Sequence, residues 1–431
     1  MHKFYLIIEF TEKKLENEAI MEKIRIGVVG VGRGSTMMKY CQTQQDAELV
    51  AICDNWEEGL LMKKQELGDS ITYYASFDDF LNHDMDAVVL ANFANEHAPY
   101  AIRALERGMH VLSEVLPCQT MAEAVLLVET IEKSDKIYSY AENYCYMAAP
   151  REMRKLYREG KLGVFEYGEG EYMHNCESVW PRITHGNKDH WRNNMYANFY
   201  CTHSIGPLIH ITGLKPISVV GFELPFNSRM ERMGAKSGSA AIEMITLENG
   251  AVIKSLHGVG CSKNSVWYSI YGSLGRIESS REDAQYGAYN RIFTNLDKYE
   301  GECFNRPNTY CPGTDEPSST GKWEHGGSDY YTMHNFIDCI RGNKEAEIID
   351  IYEALDMFLS GMFAYRSVLA GGMPMSIPDL RIPEQRDKWR NDTWCTDSVV
   401  AKDQLVFSYS KGNPDIPDET YQKVYDKWRN G

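Results

Sequence analysis

The run Gly30-Val31-Gly32-Arg33-Gly34-Ser35 has the residue types and spacing to hold a pyrophosphate. It follows the apolar, β-branched stretch IRIGVVG over 24–30 and opens a helical stretch from Ser35 to about Gln44. Glycines allow a tight turn and a close ligand approach, and the free amides of a helix start favour an anion. Asp54, 22 residues after Gly32 and at the end of a second apolar run, can accept hydrogen bonds from ribose hydroxyls. A carboxylate there repels a 2′-phosphate, so the pattern predicts NAD rather than NADP. Arg33 is a further candidate, because its guanidinium suits a phosphate. The third glycine of the usual pattern is replaced by Ser35, small enough for helix and strand to approach, while Gly34 is an extra that relaxes the turn beside Arg33.

The elements that must position this turn alternate regularly. Apolar runs at 24–30, 47–53, 71–74, 86–90, 110–114 and 138–142 predict six strands, with helical stretches at 35–44, 56–67, 98–107 and 120–133 between them. That alternation predicts a parallel, doubly wound Rossmann sheet over residues 21–145. Glu142 then falls at a strand's carboxyl end, where such folds bind ligands. From 146 to 375 the pattern becomes longer strands at 164–175, 216–223, 239–247, 251–259, 266–271 and 275–279, with helices near 204–212, 328–342 and 351–370. This predicts an α+β domain on an open, mostly antiparallel sheet. Residues 281–325 read as a long loop over the site, 376–431 as a segment wrapping the surface, and 1–20 as a dispensable tail with Met21 as the natural start.

The formal net charge is −16, from 61 acidic and 45 basic residues. Nucleic acid and anionic membrane faces would be repelled. No apolar stretch reaches membrane-spanning length, and the short run Phe4–Phe10 is no export signal. Eleven cysteines without framework spacing predict reduced thiols and a cytoplasmic setting. His174, Cys176, His185 and His190 fit no zinc template, so no metal is expected. Trp180, Trp191 and Arg192 in the same stretch are candidates for a substrate wall.

Several segments align with one known family. Strand four leads into Asn92-Phe-Ala-Asn-Glu-His97, followed by AIRALERGMHVLSE to Glu114. This resembles the glucose–fructose oxidoreductase/inositol dehydrogenase (Gfo/Idh/MocA) family over roughly residues 24–370. Members carry Glu-Lys-Pro after the fifth strand, where this sequence has Glu114-Val115-Leu116-Pro117, and Val115 cannot move a proton. The family's Asp-x-Gly-x-His becomes Phe199-Tyr200-Cys201-Thr202-His203. Both departures resemble the NAD-dependent α-N-acetylgalactosaminidase branch, as do Tyr200-Cys-Thr-His203-Ser-Ile-Gly206-Pro207, Glu142-Asn143, Tyr172-Met-His174 and His325-Gly326-Gly327-Ser328-Asp329.

The resemblance implies a bound NAD, with Asn92, His97, Glu114 and Asn143 on the cofactor side beside Gly30, Gly32, Arg33, Gly34 and Asp54. It places Glu142, Tyr172, Tyr200 and His203 in the active site. The implied chemistry is glycoside cleavage by transient oxidation at C3, deprotonation at C2, elimination, water addition and re-reduction. His203 would deprotonate the hydroxyl, and Tyr172 would take the C2 proton, which requires a lowered phenol pKa. Glu142 would orient the sugar or share the proton, and Tyr200 would line the pocket. A sugar or polyol dehydrogenase using His203 with Glu142, a lyase or epimerase of the same chemistry, and a noncatalytic NAD sensor are the alternatives. The partner is a small carbohydrate, and the family's habit implies a homodimer or homotetramer.

Overall fold

The computed structural model describes residues 22–431 except Tyr286, Ala288, Tyr289, Cys303 and 314–322. The expected tail, 1–20, and the proposed start at Met21 lie outside the described residues. The first domain is a six-stranded sheet of β1 (Ile24–Val29), β2 (Ala47–Cys53), β3 (Thr72–Tyr74), β4 (Ala87–Leu90), β5 (His110–Ser113) and β6 (Tyr138–Tyr140). Its order is β3-β2-β1-β4-β5-β6 with every pair parallel. The order reverses beside β1, so a crevice opens at the carboxyl ends of β1 and β4, where the glycine turn follows β1. Ile26, Val28, Val88 and Val89 are fully buried, as strands covered on both faces must be.

The second domain holds nine strands: β7 (Phe165–Asn175), β8 (Pro216–Glu223), β9 (Ala241–Leu247), β10 (Val252–Gly258), β11 (Gly260–Gly272), β12 (Gly275–Ser279), β13 (Ile292–Leu296), β14 (Pro307–Tyr310) and β15 (Met375–Ser376). They run in the order β14-β13-β12-β11-β7-β10-β9-β8-β15. All neighbours are antiparallel except β7 and β10. The expected long loop at 281–325 is corrected here, since β13 and β14 extend the sheet edge within it. Their short alternation is masked in the sequence by flanking Gly, Asn and Pro.

Two helices join this sheet to the site. Helix Thr202–Thr212 crosses the inner face of β7 so closely that a methyl at Gly170 would lie 1.8 Å from Ser204 O. Helix Ile351–Leu369, almost wholly buried, packs beside it. Helix Ser328–Ile340 returns to the first domain, where Met333, Phe336 and Ile337 share a core with Ile26, Val28, Met37 and Tyr40. It therefore carries Asp329 to the mouth of the dinucleotide crevice. No helix among the described residues is long and apolar enough to cross a membrane.

Candidate active site

The glycine turn divides its labour by geometry. Gly30 has φ +99°, a left-handed conformation that favours glycine, and a methyl there would lie 2.4 Å from Ala91 O. A methyl at Gly34 would lie 2.2 Å from Gly30 O. Gly34 therefore provides the close helix–strand approach, which corrects its reading as a spare residue. Ser35 instead donates its hydroxyl to Val31 O at 2.7 Å. A methyl at Gly32 would meet nothing within 4 Å, because this residue faces an open crevice. The crevice is about 530 Å³, and its walls include Asp54 and Asn92 from the first domain and His185, Trp191 and Arg192 from the second. Asp54 accepts from Val31 N at 2.7 Å and from Trp56 N at 2.8 Å, which fixes its carboxylate at the crevice edge. Asn92 donates to Glu96 at 2.9 Å, and its buried Oδ1 has no protein partner. An open glycine, a helix start and an unsatisfied buried oxygen are features that a dinucleotide fits.

Four other residues expected around the cofactor serve the walls. Arg33 gives Nε to Glu114 at 2.8 Å and both terminal nitrogens to Asp329 at 2.9 and 2.7 Å, so its fork is engaged by carboxylates while the residue still lines the crevice. Asn143 donates to the same Asp329 at 2.9 Å, and His325 Nδ1 lies 3.0 Å from it. Arg33 and His325 hold the Asp329 carboxyl far below the usual range despite burial. Glu324, His325 and Asp329 could together face a cation, but the Arg33 guanidinium already neutralises Asp329. His97 lies beneath the crevice floor, with Nδ1 2.9 Å from Leu116 O and 1% of its surface exposed. Burial holds this imidazole neutral, with its pKa down at about 4. It supports the backbone that carries Glu114 rather than facing the crevice.

Glu142, Tyr172, Tyr200 and His203 come together. His203 Nδ1 lies 2.6 Å from Glu142 Oε1, and Glu142 is fully buried. A carboxylate only accepts, so Nδ1 carries the proton and Nε2 is the basic atom. Gly206 makes room, since a methyl there would lie 2.8 Å from Glu142 Cγ, and Tyr268 steadies the helix start by donating to His203 O at 2.6 Å. The Tyr172 ring meets His203 edge-on at 4.7 Å between centroids, and Tyr200 does so at 5.1 Å. Arg192 lies over the Tyr200 ring at 4.7 Å and the Trp191 ring at 4.6 Å.

Tyr172 does not have the lowered phenol pKa that a resting base would need. Burial pushes it well above the ordinary value, and Arg192 only partly opposes this. Its hydroxyl instead meets His174 Nδ1 at 3.0 Å, and burial pushes the His174 pKa down, so this imidazole is a ready acceptor. His174 went unassigned in the sequence. The signal was present, because residues i and i+2 of a strand share a face. Tyr144 was also missed, although its ring lies 4.3 Å from His203 and 5.3 Å from Tyr172. Trp180 is corrected as a wall residue, since it is wholly buried and donates to Asn193 Oδ1 at 2.8 Å.

Comparison with known proteins places two segments of the chain in known families. Residues 24–142 match the family model described as "Oxidoreductase family, NAD-binding Rossmann fold". Residues 284–391 match "Glycosyl hydrolase 109, C-terminal domain". A glycosyl hydrolase family 109 protein of Solibacter usitatus is 25% identical over 407 residues, covering 85% of this chain and 89% of its own. Glycosyl hydrolase family 109 protein 1 of Bacteroides fragilis is 23% identical, covering 83% and 85%. Among solved structures, scyllo-inositol dehydrogenase from Lactobacillus casei, with bound NAD(H) and scyllo-inositol, superposes with TM-score 0.65 at 18% identity over 83% of this chain and 99% of its own. Aldose–aldose oxidoreductase from Caulobacter crescentus gives 0.66 at 18%, over 82% and 100%. These two likenesses show the fold.

Proposed function

Starting from a chain that belongs to the Gfo/Idh/MocA oxidoreductase family and carries a glycosyl hydrolase 109 C-terminal domain, we propose that it is an NAD-dependent glycosidase. Its net reaction is hydrolysis, reached through transient C3 oxidation, C2 deprotonation, elimination at C1, water addition and re-reduction. NAD, when bound, supplies the reversible oxidation at C3. The observation that carries this reading is the Glu142–His203 pair, 2.6 Å apart, set among Tyr172, Tyr200 and Tyr144.

His203 Nε2 takes the proton of the sugar hydroxyl, and Glu142 stabilises the imidazolium through Nδ1–H. Val115 stands at the lysine position and contributes only packing. Tyr172 takes the C2 proton while its own phenolic proton passes to His174. No net charge then remains on the buried phenol. Tyr200, backed by Arg192, lines the side from which the C1 substituent leaves and water enters. The substrate is a small carbohydrate glycoside, and the assembly is a homodimer or homotetramer.

Aryl glycosides of both anomers provide the test, with phenol release and NADH absorbance followed together. Phenol release without net NADH is the expected result. Stoichiometric NADH without cleavage would instead establish the dehydrogenase reading.

A further inference from the structure

The dinucleotide crevice has a wall that neither family match covers. Residues 180–190 and 418–430 lie outside both matched segments. His185, at φ +52°, turns at the end of helix Trp180–Thr184 and lines the crevice on the side of Asp54 and Trp56. In a Rossmann fold the acidic residue at the end of β2 marks the adenosine side.

Behind His185 stands the C-terminal helix Asp418–Asn430. Trp428 stacks on the His185 ring with centroids 3.8 Å apart and an interplanar angle of 7°. Trp56 completes the aromatic group at 5.2 Å from His185 and 6.0 Å from Trp428. Arg429 pairs with Glu58 at 2.9 Å, so the helix is tied to the first domain just beyond Trp56. Its other face is docked on the second domain. Tyr421 and Val424 are buried, and a methyl at Gly186 would lie 2.5 Å from Tyr421 O and 2.6 Å from Tyr425 N. One short helix thus touches both domains at the mouth of one site.

We propose that helix Asp418–Asn430 is a clasp that retains NAD: Trp428 holds the His185 ring against the adenosine half of the cofactor, and Arg429 fastens the clasp to Glu58. Trp428 and Arg429 are positioning residues that act through His185 and Glu58. Release of the dinucleotide requires the aromatic stack to part. The clasp rests only on NAD binding in the crevice, so it stands or falls independently of glycoside cleavage.

The test is the dissociation rate of NADH from the loaded full-length protein, chased with excess NAD⁺ and followed by nucleotide fluorescence. Trp428→Ala is expected to release NADH at least about tenfold faster, and Trp428→Phe to stay near the unsubstituted rate. Arg429→Glu should speed release roughly two- to fivefold, with Glu58→Arg in the same chain restoring it. Lys423→Ala, on the exposed side of the helix, is the control. Unfolding of the Trp428 variant would show by circular dichroism, and the Arg429/Glu58 pair then decides. Release rates that match the unsubstituted protein in both Trp428→Ala and Arg429→Glu overturn the clasp.

Discussion

Glu142 and His203 form a buried pair whose 2.6 Å contact depends on a residue that touches neither reacting atom, Gly206. The carboxylate fixes the imidazole tautomer, and the missing side chain at 206 lets it approach. Glu142→Gln should therefore lower kcat by about 10²- to 10⁴-fold, as removal of a general base's partner does. NAD binding should remain. Gly206→Ala should lower kcat in the same direction, because a methyl would displace Glu142. Steady-state kinetics with NADH titration checks both, and unchanged kcat in both variants would dissociate the pair from catalysis.

The Tyr172–His174 contact makes a pH prediction. His174 must be neutral to receive the phenolic proton, and burial lowers its pKa. Protonation of His174 should contribute an acidic limb that lies below the ordinary imidazole range. His174→Phe should change the shape of the acidic side of the profile and remove most of the rate. A pH–rate profile of both proteins is the measurement. An acidic limb identical in the variant would remove His174 from the relay.

Two glycines in one turn should fail differently. Gly32→Ala places a methyl in open crevice, so thermal stability should hold while NAD affinity falls at least about tenfold through loss of close approach. Gly34→Ala collides with Gly30 O, so the domain itself should lose about 1–3 kcal/mol. Denaturation and NADH titration of the two variants separate the cases.

Beneath the helix that carries His203, Glu243 and His257 form a second buried pair, 3.8 Å apart. Burial pushes Glu243 up to about 8 from the ordinary 4.5 and pushes His257 down to about 3, so both are neutral at rest. For Glu243 the folded state holds its proton more tightly than the unfolded chain. Its stabilising contribution is complete below about 4.5 and is lost as pH rises through about 8. Glu243→Gln should remove that decline, on the order of a few kcal/mol at most, and flatten the Tm–pH curve between about 4.5 and 8. A curve with the same slope over that window in the variant would contradict the assignment.

What the sequence made legible was local. The strand before Gly30 and the spacing to Asp54 follow from periodicity and short motifs, and both meet at one crevice, while Glu142 follows the end of β6 as the strand pattern predicts. What stayed hidden depends on tertiary contact. Whether Gly34 or Ser35 permits the helix to approach is decided by Gly30 O, a neighbour no periodicity reveals. The engagement of Arg33 by Asp329, nearly 300 residues away, is likewise invisible to any local pattern. Trp180 and Trp191 are alike in sequence context, yet one fills the core and the other lines the crevice. The C-terminal segment read as a wrapper because its stack on His185 depends on two distant stretches meeting.

The central claim is that the C2 proton leaves during turnover, and the decisive measurement is the isotopic content of the released sugar after reaction in heavy water. Deuterium is expected at C2 of the product, with the incorporation abolished by Tyr172→Phe. Product formed by the unsubstituted protein with hydrogen fully retained at C2 would contradict it.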